Sequence, residues 1–346
     1  MGTLVSRCAG PGPPKKESAV ITRRHLIALG AASLPLPALT VGSAFAQVWP
    51  LRYVRLIVPF PPGGGTDAVS RILAARLSEV WGQQVVIENK GGAGSNIGNE
   101  AAARAEPDGH TMLLGTLPLA VNRYLFSSLN YDSITDLAPV TMICNYPNLM
   151  MVPNSSPVKS VREFIDFAKA NRGTITFGSS GIGTSPHLAG ELFKRMAGIE
   201  MTHVPYRGAG PAMNDLIPGR ISMMFNTAGA SIPQVRAGNV RALGVSSAER
   251  FPSAPEFPTV AEMGLPGFDV MSWYGFFVPV RTPAAIVRKM HDDTLAILAE
   301  PAVRGRFEQL GVAVIGSTPE FMAAKLKAET EMWGPIIKAA GIKGEE

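Results

Sequence analysis

The chain has two cysteines among its 346 residues, Cys8 and Cys144. Cys8 falls in an N-terminal segment expected to be removed, so no internal disulfide is expected in the mature chain. Met142, Ile143 and Tyr146 around Cys144 point to a buried structural thiol. Charged residues make up only 17% of the chain and hydrophobic ones 46%, which suits a globular protein with large cores. The length allows two domains. Beyond residue 46 no apolar run is long enough to span a membrane, so a soluble mature protein is expected. His110, His187, His203 and His291 show no paired metal-ligand spacing, and no metal site is expected. No Gly-Lys-Ser/Thr follows the glycine run at 63–65, which excludes a P-loop. Gly178-Ser179-Ser180-Gly181-Ile182 lacks the second glycine of a serine-hydrolase elbow. No internal repeat is visible.

What is present begins with an export pattern. Lys15, Lys16, Arg23 and Arg24 precede an apolar run from Leu26 to Ala46, which ends in Ala44-Phe45-Ala46. A basic start, an apolar middle and a small-x-small end describe a cleavable secretory signal over residues 1–46. Pro35 and Pro37 interrupt the run and argue against a membrane anchor. Arg23-Arg24 also fits a twin-arginine signal, so the general secretory and twin-arginine routes both stay open. Five of the 32 Lys and Arg and one of the 27 Asp and Glu lie in this segment. The mature part then holds 27 basic and 26 acidic residues, a net charge of +1. The basic balance of the whole chain thus belongs largely to the signal and does not point to a nucleic-acid partner.

Strand-like and helix-like stretches alternate through the mature part. Strands are expected at Leu56–Phe60, Val85–Glu88, Thr111–Gly115, Thr174–Phe177, Met201–Val204, Ile221–Phe225 and Arg241–Ser246. Helix signals include a Ser160/Glu163 capping box, a Ser185-Pro186 start, Thr282-Pro283 and Thr318-Pro319. The alternation predicts α/β domains with mostly parallel sheets flanked by helices. Two apolar segments, Leu137–Val152 and Ser272–Pro279, read as crossings between two lobes. Lobe 1 is expected to hold residues 47–148 plus 272–346, and lobe 2 residues 149–271. Ligands in such sheets bind beyond the carboxyl ends of the strands.

Six polar loops join strand ends to helix starts: Pro62–Asp67, Gly91–Asn96, Gly115–Thr116, Ser179–His187, Tyr206–Gly210 and Asn226–Ser231. A helix start leaves backbone N–H groups unpaired and carries the positive end of the macrodipole. Together the loops can cradle an anion without lysine or arginine. His187, in a first turn beside a Gly/Ser loop, is the histidine placed to donate to such an anion. Gly63-Gly64-Gly65-Thr66-Asp67-Ala68 also fits a dinucleotide fingerprint, with Glu88 about 20 residues on. Asp67 would repel a pyrophosphate, Pro61 and Pro62 remove two donors, and export leads to a compartment not expected to supply NAD. An exported α/β enzyme with a dinucleotide-type loop is therefore the alternative reading, and no cofactor is expected.

IVPFPPGGGTD, GAGSNIG, PDGHTMLLGT, GIGTSPHLAGELF, HVPYRGAGPAMNDLIPGRI, VRAGNVRALGVSS, FPTVAEMGLPGF and WYGFFVP occur in this order. Over residues 50–342 the chain resembles the Bug-type solute-binding proteins of tripartite tricarboxylate transporters. The resemblance implies a two-lobed fold like type II periplasmic binding proteins, closing over a small organic acid held largely by backbone and bridging water. It implies a periplasmic, non-catalytic, monomeric receptor. Its partners would be the membrane components of a tripartite transporter, or a membrane sensor. The matching ligand positions are Pro62, Gly65, Thr66 and Asp67, with Asn96 and Thr116, in the first lobe. In the second they are Ser179, Ser180, Thr184, His187 and Tyr206. Asp67 is expected to cap backbone or orient water rather than touch the acid. Where many members carry Asp after the strand ending at Phe225, this chain has Asn226. Losing that charge favours a plain carboxylate, or a neutral amide, over an amino acid; the acid expected is a di- or tricarboxylate or an aromatic carboxylate.

Overall fold

An uninterrupted apolar triplet such as Leu56-Ile57-Val58 suits a strand covered on both faces. In the structure, a computed structural model that describes residues 10–15 and 49–344, all three are fully buried in β1 (Val54–Val58). Apart from residues 10–15, the segment read as a signal, with its Ala44-Phe45-Ala46 end, lies outside the described residues. α1 (Gly65–Trp81) follows the Pro61-Pro62 turn, buries Val69, Leu73 and Leu77, and ends on Gly82 in the left-handed conformation, φ 63°.

The chain continues through β2 (Val85–Asn89), α2 (Asn96–Ala103), β3 (Thr111–Gly115), α3 (Pro118–Leu125) and the long β4 (Leu137–Pro153). Next come α4 (Val161–Ala170), β5 (Thr176–Ser179), α5 (Ser185–Ala197), β6 (Thr202–Pro205), α6 (Ala209–Leu216), β7 (Met223–Thr227), α7 (Ala228–Arg236) and β8 (Val240–Val245). β9 (Met271–Pro279), α8 (Ala284–Ala299), α9 (Pro301–Gln309), β10 (Ala313–Val314) and α10 (Pro319–Ala340) complete it.

Among the described residues ten strands join one mixed sheet in the order β2-β1-β3-β9-β4-β7-β5-β6, with β8 and β10 also on β4. The outer groups β2-β1-β3 and β7-β5-β6 are parallel. The pairings of the two crossing strands are antiparallel. The fold is that of a two-lobed periplasmic binding protein. β4 serves both halves: Leu137–Pro147 pair with β9, and the residues from Asn148 to Pro153 pair with β7 and β8. A strand of this length spans roughly 55 Å, enough to run from one half into the other.

Helix starts differ in detail from the sequence pattern. Thr184, not Ser185, precedes α5, and its hydroxyl donates to the Gly181 carbonyl. Thr282 donates to the Pro279 carbonyl, leaving Pro283 ahead of α8. Thr318 and Ser160 do cap, accepting from Phe321 N–H and Glu163 N–H. The Glu163 carboxylate accepts from Lys159 N–H instead of closing the box on Ser160.

Close packing of helix on strand sets where the loops stand. At Gly98 on α2, a Cβ would lie 2.7 Å from Pro59 Cβ and 2.8 Å from the Lys90 carbonyl oxygen. Gly98→Ala is expected to destabilise the protein by about 1–3 kcal/mol, read as a lower midpoint in chemical denaturation; an unchanged midpoint would show that α2 is free to shift.

Candidate functional site

The carboxyl ends of the parallel strands, and the helices that follow them, meet around one cavity of about 80 Å³. Gly64, Gly65 and Thr66 come from the start of α1, and Thr116 to Pro118 from the start of α3. Thr184 to Pro186 open α5, Gly208 to Pro211 open α6, and Asn226-Thr227 precede α7. Five helix starts thus face one space, each with its positive dipole end. Among the described residues, no Asp, Glu, Lys, Arg or His lines it. The polar groups that do are hydroxyls, backbone and one amide.

That amide is Asn226, at the end of β7. Phe225 beside it is locked between Phe193 and Phe268, ring centroids 5.9 and 5.7 Å apart, which fixes the strand end. Asn226 is fully buried, and neither Oδ1 nor Nδ2 has a hydrogen-bond partner within the protein. Thr227 Oγ1 and Ser272 Oγ lie buried in the same wall, beside the Tyr274 and Tyr146 hydroxyls. A buried polar group left unmet costs about 1–3 kcal/mol, so this wall is built to bond something in the cavity.

Tyr146 of β4 and Tyr274 of β9 form the floor, ring centroids 4.4 Å apart. Burial pushes the Tyr146 phenol up to about 12, and burial plus its neighbour pushes Tyr274 well above 10. Both stay neutral. A Cβ on Gly65 would lie 3.0 Å from the Tyr274 hydroxyl and 3.2 Å from Thr227 Oγ1, so the first residue of α1 sits directly on this floor. Trp273 points the other way, against Phe277.

Of the positions marked in the sequence, Pro62, Gly65, Thr66, Thr116, Ser180, Thr184 and Asn226 line the cavity. Asp67, Asn96, Ser179, His187 and Tyr206 do not, and each is engaged elsewhere. Asp67 accepts from Arg71, from Asn89 Nδ2 and from Gly63 N–H. Burial alone would raise its pKa; these three partners outweigh it and hold it below 3.8. It fastens the Pro62–Gly64 turn to α1. Asn96 Oδ1 accepts from Asn122 at 2.7 Å and Tyr131 at 2.8 Å. The Ser179 hydroxyl lies 2.7 Å from His203 Nε2. His187 Nδ1 accepts from Gly183 N–H, and its ring stacks 3.9 Å from that of His203. The Tyr206 hydroxyl donates to Asp215, and the residue lines a neighbouring cavity.

Residues 69–342 match the model of the tripartite tricarboxylate transporter family receptor. The chain belongs to this family. It is similar to an R. palustris protein solved with adipate, at 38% identity and a TM-score of 0.83, over 85% of this chain and 99% of that one. It is similar to the periplasmic binding protein BugD at 34% identity and 0.81, over 85% and 99%. It is also similar to MatC from Rhodopseudomonas palustris with bound malate, at 32% and 0.78, over 83% and 99%.

Tyr146 and Ser272 also line this receptor's cavity and were not marked by the sequence, which left open whether Trp273 or Tyr274 enters it; Thr227 and Gly208–Gly210 line it from loops the sequence did mark. The crossing segments, expected as two strands joining the lobes, are strands that also supply the floor. Alternation held the signal: Ser272 and Tyr274 are two apart and share a face, whereas Trp273 between them faces away.

Burial holds the receptor's His187 well below 6.5 and, with Lys194, His203 down to about 4. Below 6.5 the unfolded imidazoles take up protons while the folded ones do not, so stability falls as pH drops from 6.5 toward 4. Each histidine contributes a slope of up to about 1.4 kcal/mol per pH unit. Denaturation at pH 7.5, 6 and 5 is expected to show this slope, and His203→Gln to flatten it; an unaltered slope would contradict the buried neutral pair.

Proposed function

We propose that this receptor captures a small organic acid and delivers it for uptake. Lobe 1 (47–148 plus 272–346) and lobe 2 (149–271) close over the ligand, which is a di- or tricarboxylate or an aromatic carboxylate. The reading rests chiefly on one observation: five helix starts converge on a cavity with no charged side chain and an unpartnered Asn226 in its wall. Unpaired N–H groups and aligned dipoles at helix starts favour an anion. The neutral wall limits what competes with it. The adipate and malate held by the two relatives agree in chemical class.

The same lining argues for capture without catalysis, because it offers no nucleophile–base pair. The partners are the membrane components of a tripartite transporter, or a membrane sensor that uses the same ligand. The receptor works as a monomer without a cofactor, exported to the periplasm behind the signal at 1–46. Closure couples binding to docking on the membrane partner.

Calorimetry of the mature chain with adipate, malate, citrate, aspartate and NAD tests this. A di- or tricarboxylate is expected to bind and, at 100 times Kd, to stabilise the fold by about 2.7 kcal/mol. Asn226→Asp sets a negative charge against the acid and is expected to weaken its binding at least about tenfold. Binding of NAD alone, or of aspartate with no simple dicarboxylate, would overturn the reading.

A further inference from the structure

Ser180, Thr184 and Ser185 reach the cavity from either end of the turn Gly181–Gly183. That turn is built on two glycines in the left-handed region, φ 133° at Gly181 and 77° at Gly183. Glycine enters this region at little steric cost but loses more freedom than any other residue when it is fixed. Something must therefore hold the turn if its two ends are to meet a ligand in one arrangement. Each glycine N–H is taken by a side chain. Ser179 Oγ accepts from Gly181 N–H at 3.2 Å, and His187 Nδ1 accepts from Gly183 N–H at 3.1 Å. The Thr184 hydroxyl closes the turn by donating to the Gly181 carbonyl at 2.6 Å.

His187 is the third residue of α5. A side chain at this position commonly reaches back to backbone at the helix start, and the arm is usually Glu or Gln. A glutamate arm would set a negative charge at the start of α5, where an anion is to be received. The imidazole accepts the same kind of bond without that charge. Its surroundings keep it so: burial, then His203 and Lys194, hold His187 well below 6.5, and the Lys194 ammonium is itself met by Glu191. With Nδ1 accepting, the one ring proton sits on Nε2. The ring is also held in place, stacked 3.9 Å from His203, whose own ring stacks 4.8 Å from Phe177. His203 Nε2 lies 2.7 Å from Ser179 Oγ. The stacked pair thus grips both ends of the turn, Ser179 through His203 and Gly183 through His187.

We propose that His187 is a positioning residue for the ligand: as a neutral acceptor it fixes the Ser180–Thr184 turn in its binding shape before the acid arrives, and it leaves the start of α5 free of negative charge. This rests on the receptor reading given above and gives His187 a part in it without contact to the acid. A turn ordered in advance does not draw its ordering cost from the binding free energy.

The experiment is calorimetry with malate and adipate on the wild type, His187→Leu, His187→Gln and His187→Glu. His187→Leu removes the acceptor and is expected to weaken binding roughly 5- to 30-fold, the cost of ordering about one residue again. His187→Gln keeps a neutral acceptor and is expected to restore most of the affinity, whereas His187→Glu, with an acceptor that is charged, is expected to stay weak. The Leu and Gln variants both lose the stack on His203, so their thermal midpoints should fall together. Affinity that follows the acceptor and not the midpoint then separates positioning from packing. Wild-type affinity in His187→Leu, equal losses in His187→Leu and His187→Gln, or full affinity in His187→Glu overturns the proposal and leaves the receptor reading standing. Should His187→Leu fail to fold, amide exchange on the wild type decides. The Gly183 amide is expected to exchange slowly without ligand and to change little when malate is added; open-chain exchange until malate is added overturns the proposal. Failure of the wild type to bind any acid overturns the receptor reading, and the exchange at Gly183 still reports whether His187 holds the turn.

Discussion

Everything in this molecule that bears on a ligand depends on helix starts being aimed at one point. A parallel βα unit delivers its helix start at the carboxyl end of its strand. The fold places two such groups of units on either side of the crossing strands β4 and β9, and the starts of α1, α3, α5, α6 and α7 end up around a common space. The length and apolar character of β4 make this possible. It pairs with β9 in one half and with β7 and β8 in the other, so a single strand sets the spacing of both halves.

The charges near the site serve the scaffold. Asp67 ties the Pro62–Gly64 turn to Arg71, and Asp215 ties Tyr206 and Arg220 together. The tyrosines of the floor are held neutral by burial. A carboxylate entering the first cavity therefore meets donors with no fixed negative charge among them, and its desolvation is offset by dipoles already oriented.

Much of this was legible before any coordinates. The alternation of apolar runs with capped helices indicated the α/β class, and the loops at Pro62–Thr66, Thr116, Ser180–Thr184 and Asn226 were identified as strand-to-helix turns that now line the cavity. What could not be read was which side chains in those turns look inward. Asp67, Asn96, Ser179, His187 and Tyr206 sit in the right loops, but each is bonded to a residue distant in sequence or on the adjoining turn. Such pairings depend on register and packing. The floor was hidden for another reason. Strands buried on both faces lose clear polar alternation, so Tyr146 and Tyr274 looked like parts of apolar connections.

In the proposed function, main-chain N–H groups at helix starts, and not charged side chains, hold the acid in the first cavity. A crystal structure of the mature receptor with adipate tests it most directly. One carboxylate is expected within hydrogen-bond distance of backbone N–H groups at the starts of α1, α5, α6 or α7, directly or through one water, with the Asn226 amide bonded in the same network. A carboxylate held there instead by a lysine, arginine or histidine side chain would contradict it.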